Sequence, residues 1–384
     1  MLGKTNITTL SERAVVTEVE DFNWIQMQSG VSADFVKAIY KNGYLVGITA
    51  DGSIVYTTDG EAWQTYMLEY EDCKLNDIDW DGSRFVLAGS YKERRELSDG
   101  TSREIQSGLI VVTSDFTVYE KKQIESKNGN ASEYFLVYPK NGKYIVIGNI
   151  QSSTSKTYIC VGNLEDQWES EQVSNYLQYN MAKNSRDIIA VVEEPRMGAS
   201  SYYIRRISGD TITTNDYTTN ITVRANTKVF ECKDELYIMN FVSYYNLYKI
   251  TNSDECMVMS SEKNFAFVDG VYFNNCQIFI NNHEMLIVKK GESIADKTLD
   301  DMIEIAPELT MNCITKAFGQ LYIFGNQGVI LKSSVETNNE EVITVQAISA
   351  KKALLDSKKY TDERYAALEE RIAALERGES GDNG

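Results

Sequence analysis

The chain contains one histidine, His283, so multi-histidine metal sites and most zinc sites are excluded. It stands in Asn281-Asn282-His283-Glu284-Met285, a turn or strand edge, and no GxSxG motif supplies a nucleophile for it to activate. Glycoside hydrolysis needs two carboxyl groups. Asp77 with Asp79, and Asp300 with Asp301, supply such pairs, but among 56 acidic residues they read first as solvated loop charges. There is no P-loop, GxGxxG or EF-hand pattern, and the Asp/Asn turns that could receive calcium specify no site. Six cysteines (Cys73, Cys160, Cys232, Cys256, Cys276 and Cys313) are scattered without CxxC spacing and read as reduced core residues. The expectation is a protein with no catalytic residues, no metal and no cofactor, and so not an enzyme.

Binding offers better candidates. Residues 91–108, YKERRELSDGTSREIQSG, form a polar excursion that reads as a long recognition loop, with Tyr91, Arg94, Arg95 and Arg103 as candidate ligand contacts. The same composition would also suit a disordered excursion. Tyr202-Tyr203 and Tyr244-Tyr245 could stack on sugar rings, or form half-buried strand faces. A net charge of −18 disfavours nucleic acid and anionic membrane surfaces as partners. No apolar run approaches the roughly 18 residues of a membrane span, and MLGKTNITTL has no apolar core of signal-peptide type.

These residues must be positioned by a repeat. A turn pair followed by a short apolar strand recurs: Asn42-Gly43 before YLVG, Asp81-Gly82 before SRFVLAG, Asn141-Gly142 before KYIVIG. Fainter copies follow at Asn184-Ser185, Lys233-Asp234 and Asn274-Asn275, and the seventh is Phe318-Gly319 before QLYIFG. Asn-Gly and Asp-Gly between apolar runs signal type I′ hairpins. Gly43 to Gly319 spans 276 residues over six intervals, a mean of 46, which suits a four-stranded propeller blade. The first copy divides into DFVKAIYK, YLVGITA, SIVYTT and AWQTYML, inner to outer. The seventh lacks an aromatic outer strand, and DFNWIQMQ at 21–28 supplies one from the other end of the chain. The fold class expected is all-β: a seven-bladed β-propeller over 21–336, closed by an N-terminal strand, with residues 1–20 as an attachment arm.

From 337 to 384 the composition changes to a hinge and a helical heptad pattern. Positions a are Thr344, Lys351, Lys358, Tyr365 and Ile372; positions d are Ala347, Leu354, Thr361, Leu368 and Leu375. The seam is strongest at Leu354, Tyr365, Leu368, Ile372 and Leu375, and Arg364 and Arg371 at g can pair with Glu369 and Glu376 at e in a parallel coiled coil. A trimer is expected, with a single helix folded back on the propeller as the alternative.

The segment SIVYTTDGEAW (Asp59-Gly60 and Trp63) resembles the repeat of propeller-type phage and prophage tail proteins. AKKALLDSKKYTDERYAALEERIAAL resembles the trimerising helices of tail-fibre and baseplate proteins. The resemblance implies a structural or host-recognition part of a phage tail or tail-like bacteriocin, assembled in the host cytoplasm. Its partners would be its own copies in a homotrimer, other tail or baseplate proteins, and a host cell-surface glycan. A pure connector that docks only to particle subunits is the alternative. Arg205-Arg206-Ile207-Ser208 is similar to the arginine motif of sialidases without its proline, which leaves a glycosidase as a third reading.

Overall fold

In the computed structural model the described residues are 22–335, except 97–99, 123, 125–130, 151–155, 164–167, 175–176, 197–198, 209–212, 218–222, 225, 242, 251–254 and 262–264. The arm at 1–20 and the heptad segment at 337–384 lie outside them.

Five turn pairs carry positive φ at both positions: Asn42-Gly43, Asn141-Gly142, Lys233-Asp234, Asn274-Asn275 and Phe318-Gly319. That is the type I′ geometry expected, and it folds each inner strand directly back on the second. Asp81-Gly82 and Asn184-Ser185 behave differently. Their side chains accept amides two and three residues on (Ser83 N and Arg84 N for Asp81; Arg186 N and Asp187 N for Asn184), making four-residue loops capped by a side chain.

Each hairpin extends to a four-stranded antiparallel sheet, and there are seven sheets. Blade 1 comprises Phe35–Lys41, Tyr44–Thr49, Ser53–Thr57 and Gln64–Met67, and blade 2 Glu71–Trp80, Phe85–Glu96, Ser102–Thr113 and Glu120–Lys122. Blade 3 comprises Ala131–Lys140, Lys143–Ile150, Lys156–Gly162 and Glu169–Ser174, and blade 4 Leu177–Lys183, Asp187–Arg196, Ala199–Ser208 and Thr213–Tyr217. Blade 5 comprises Lys228–Cys232, Glu235–Phe241, Tyr245–Ile250 and Glu255–Ser261, and blade 6 Asp269–Phe273, Cys276–Ile280, Glu284–Val288 and Met302–Glu304. Blade 7 takes Met311–Ala317, Gln320–Gly325 and Ile330–Val335 from the end of the repeats and Phe22–Met27 from their beginning. The closing strand expected at 21–28 is therefore in place, and the Ser334 hydroxyl donates to Asn23 O at 3.1 Å.

The inner strands lie side by side around a ring, Met311–Ala317 of blade 7 against Phe35–Lys41 of blade 1. The fold is a closed seven-bladed β-propeller. A four-stranded sheet cannot bury both faces alone, so the core is divided among the interfaces. Phe35, Val55, Tyr322 and Phe324 fill the seam between blades 7 and 1, with Trp63 packed on Tyr322 and Phe324 at 6.2 and 6.1 Å between ring centroids. Ile54, Leu75, Phe85 and Phe116 fill the seam between blades 1 and 2, and Val86, Ile110, Tyr134 and Trp168 the next. The outer-strand aromatics of the repeat are thus wedges between neighbouring blades.

A further repeated device explains the glycines that end several second strands. The inner strands of blades 2, 3 and 7 bulge between Leu75 and Asp77, Tyr134 and Leu136, and Met311 and Cys313. Gly89, Gly148 and Gly325 pair with the residue just before each bulge. A Cβ there would lie 1.9, 2.4 and 2.3 Å from Lys74 O, Glu133 O and Thr310 O, so the close approach of the bulged strand holds these three positions to glycine; blades 1 and 4 bulge between Phe35 and Lys37 and between Tyr179 and Met181, opposite Thr49 and Val191. In three blades the bulged residue is asparagine, and its amide donates to the next blade: Asn76 to Tyr134 O, Asn180 to Thr227 O and Asn312 to Phe35 O, at 2.9, 3.1 and 2.9 Å.

Candidate functional site

Side chains of each inner strand alternate between the two faces of its blade, and the strand itself borders the axis of the ring. The inner strands line a central channel of about 1,230 Å³, whose lining includes Lys37, Asp77, Asp79, Lys183, Glu231 and Asp269. Asp77 is only 3% exposed. One of its carboxylate oxygens accepts Lys37 of blade 1; the other accepts Val137 N of blade 3 at 2.9 Å and Lys183 Nζ of blade 4 at 2.8 Å. Lys183 also meets Asp79 at 2.9 Å. Burial pushes the Asp77 carboxyl up, but Lys183 and Lys37 outweigh it and hold the group below the ordinary carboxylate range. Burial likewise pulls Lys183 down, and Asp77 and Asp79 more than restore it, so the amine stays charged. The expectation of solvated loop charges is corrected for Asp77 and Asp79: they stand on an inner strand and clamp four blades together. Asp300 and Asp301 do sit in an exposed turn, where Asp301 accepts Thr298 N at 2.6 Å.

The other residues with chemical potential are also engaged. Arg205 and Arg206 are adjacent on a strand and face opposite sides of the sheet, so they do not converge on one carboxylate. Arg206 pairs with Asp187, and buried Arg205 lies over the Tyr203 ring at 5.6 Å. His283 is exposed in the turn after the second strand of blade 6, with Nδ1 2.9 Å from Leu309 O. In the Asp59-Gly60 motif, Asp59 accepts the amides of Glu61 and Ala62 at 2.8 and 2.9 Å, bonds that hold its carboxyl below the usual range. That is a turn-forming role. Cys73, Cys160, Cys232, Cys276 and Cys313 are buried free thiols; burial raises the Cys73 thiol to about 11 and the Cys160 thiol to about 12.

The polar excursion at 91–108 is not a loop. Most of it is an extension of blade 2, whose second and third strands stay paired from Phe85↔Thr113 out to Glu96↔Ser102. Polar side chains stand on both faces of both strands and the ladder satisfies the backbone, which is why a charged segment can be regular. Every blade runs in the same inner-to-outer order, so all links between second and third strands open on one face of the ring. The blade 2 hairpin stands on that face. Tyr202 and Tyr203 lie on the corresponding hairpin of blade 4, and Tyr244 and Tyr245 at the corresponding turn of blade 5. Tyr244 is exposed, whereas Tyr245 stacks on Phe241 at 4.4 Å.

Beside the blade 2 hairpin is a cleft of about 290 Å³ whose lining includes Tyr91, Arg94 and Arg95 together with Lys121, Lys122 and Tyr134. Tyr91 is buried, and its hydroxyl donates to Glu93 Oε2 at 2.7 Å. That bond, the Ser107 hydroxyl and Arg95 hold the Glu93 carboxyl down to about 2. Lys121 Nζ donates to the Tyr91 hydroxyl and sits over the Tyr91 ring at 3.9 Å from its centroid. The structure therefore brings Tyr91 and Arg95 together on one face of the hairpin around Glu93, whereas Arg94 alternates to the other face, where its Nε donates to Ser102 Oγ at 2.9 Å. Arg103 pairs in register with Arg95 on the hairpin, outside the cleft lining, and the four other tyrosines belong to different blades. Lys121, Lys122 and Tyr134 were not legible as site residues, because they come from an outer strand and from the next blade. The one available signal was that Lys121-Lys122 is a basic pair in an acidic chain.

No family model matches the chain, and no curated protein matches it. Solved structures do. A streptogramin B lyase has a TM-score of 0.57 at 10% identity over 83% of this chain and 99% of that one. Selenomethionine-substituted virginiamycin B lyase from Staphylococcus aureus has a TM-score of 0.52 at 9% identity over 82% and 99%. The Pan2 WD40 domain of Neurospora crassa has 0.54 at 8% over 83% and 97%. At such identities the likeness is one of fold: this chain is built like those propellers.

Proposed function

We propose that the protein is a non-catalytic recognition and assembly component of a phage tail or phage-tail-like particle. In this reading its propeller binds a cell-surface ligand, and the heptad segment at 337–384 joins three copies. The observation that carries it is the blade 2 hairpin, two twelve-residue strands standing on one face with exposed Arg94 and Arg95. Rigid hairpins on a closed ring are a sound way to present contacts, because little conformational freedom is lost on binding. Three propellers on one stalk would turn weak single contacts into firm attachment through effective concentration.

A second reading, a connector between particle subunits, draws support from exposed apolar residues on outer strands and links, Met67 at 57% and Val118 at 72%. The two separate in one experiment. Fluorescently labelled full-length protein is incubated with a panel of bacterial cells and isolated cell walls, beside a variant whose hairpin is cut back between Glu93 and Glu104. Saturable binding lost in the short variant supports receptor recognition. Binding to none of the surfaces, with capture of purified particle subunits instead, supports the connector. Turnover of streptogramin B or of a sugar-substrate panel would overturn both.

A further inference from the structure

We propose that the face of the ring opposite the blade 2 hairpin is a docking surface for an acidic protein segment, seated on a collar of lysines around the channel mouth. The inference rests on the particle reading for the identity of that partner, a neighbouring tail subunit, and not for the surface itself.

In every blade the link from inner to second strand lies at the end of the channel opposite the blade 2 hairpin, so the seven turn pairs encircle that mouth. The third strand of a blade runs parallel to its inner strand and ends on the same side. Ser334, near the end of that strand in blade 7, donates to Asn23 at the start of the closing strand. The polypeptide thus enters and leaves the ring on the collar side, and the hairpin stands on the other.

Exposed Lys41, Lys143, Lys233 and Lys316 stand at or beside the turns of blades 1, 3, 5 and 7. None has a carboxylate partner among the described residues. Lys316 Nζ donates to Tyr272 O at 2.9 Å, and Lys233 Nζ sits 4.4 Å from the centroid of the Tyr272 ring. The carboxylates at the same turns are committed elsewhere. Asp79 pairs with Lys183 at 2.9 Å, Asp81 with Arg84 at 3.3 Å, Asp187 with Arg206 and Glu235 with Lys249 at 2.5 Å. Asp234 accepts the Ser185 amide and hydroxyl at 2.7 and 2.6 Å, and burial raises the Glu231 carboxyl on the channel wall. In a chain of net charge −18 the mouth therefore carries a local excess of unspent positive charge, and low-dielectric walls concentrate its field. Repulsion from the acidic remainder of the surface disfavours docking elsewhere.

Lys41, Lys233 and Lys316 line the channel itself, whose volume of about 1,230 Å³ exceeds the roughly 300–1,000 Å³ of small-molecule sites. A segment of chain entering along the axis fits that volume better than a small ligand does. On the side where the polypeptide enters and leaves the ring, the neighbours within a particle are protein subunits, which favours a peptide over a polysaccharide.

The test is calorimetric titration of the full-length protein with octaglutamate, a neutral Gly-Ser octapeptide and a sulfated octasaccharide, at low and high salt. Octaglutamate should bind, more weakly as salt rises, and the neutral peptide should not. The triple variant Lys41→Gln, Lys233→Gln and Lys316→Gln changes exposed side chains that hold no ion pair, so the fold should stand. It should weaken octaglutamate about tenfold, the loss expected for three exposed pairs. Arg94→Gln with Arg95→Gln, on the opposite face, should leave the affinity unchanged. Silence of octaglutamate at about 1 mM, tighter binding of the sulfated saccharide, unchanged affinity in the triple variant, or an equal loss in the hairpin variant would overturn the surface. Octaglutamate bound at the collar without binding of purified tail and baseplate proteins would uphold the surface and retire the particle reading.

Discussion

Asp77 on the inner strand of blade 2 and Asp269 on that of blade 6 make the same kind of backbone contact, and their opposite surroundings give a sharp prediction. Each carboxylate accepts an amide of the neighbouring inner strand, Val137 N or Ile314 N, at 2.9 Å. Asp77 is flanked by two amines. Around Asp269 burial dominates and pushes its pKa up to about 7; the amides of Ile314 and Gly270 and the charge of Lys37 oppose it in part, and Glu231 adds to it. The ordinary value is 3.8, and each unit is worth about 1.4 kcal/mol, so full ionisation of Asp269 costs the fold on the order of 4 kcal/mol. Between the unfolded and folded values the folded chain keeps a proton that the unfolded chain has released. Stability from this group is therefore greatest below about pH 4, falls as pH rises, and levels off above about pH 7. Asp269→Asn keeps an oxygen for the Ile314 amide and removes the titration. Urea unfolding of both proteins across this range should show the variant gaining on its parent as pH rises, by up to about 4 kcal/mol in all. A difference that stays constant with pH, or that turns against the variant in alkali, would refute the reasoning.

Three further outcomes follow from the same physics. Asp77→Asn should destabilise by about 2–3 kcal/mol at neutral pH, because Lys37 and Lys183 lose the charge they share and Lys183 keeps only Asp79; with a lowered folded pKa the penalty should shrink as pH falls below about 4, as read by urea midpoints. Gly89→Ala drives a Cβ to 1.9 Å from Lys74 O and should cost more than about 3 kcal/mol. Gly43→Ala has open space but a φ of +78° and should cost about 1–2 kcal/mol, so thermal midpoints should separate the pair clearly. Finally, Cys73, Cys160, Cys232, Cys276 and Cys313 should resist a thiol reagent in native buffer and react on addition of denaturant; rapid native labelling of more than one cysteine would contradict their burial.

The ring was legible because its punctuation is chemical. Asn42-Gly43 and Asn141-Gly142 demand left-handed φ, the apolar strands behind them recur at blade spacing, and the missing outer strand of blade 7 is supplied by residues 22–27. What stayed hidden depends on partners far away in sequence. Asp77 looked like one acid among many, since nothing local says that Lys37 and Lys183 will meet it across the channel. Gly89, Gly148 and Gly325 were visible as strand endings, but their reason, a bulge on the paired inner strand, exists only in the sheet. The excursion at 91–108 reads as loop from composition, because two polar strands paired with each other lack the apolar alternation that marks a half-buried one. Of the candidate site, Tyr91, Arg94 and Arg95 were found in sequence, while Lys121 and Tyr134 come from elements that only folding brings beside them.

The claim that most directly supports a role in attachment is that this propeller acts in threes. Light-scattering mass of the full-length protein, set beside the chain ended at Glu336, tests it. The account predicts a trimer for the first and a monomer for the second. Monomers in both cases would contradict it, and with it the argument from multivalent binding.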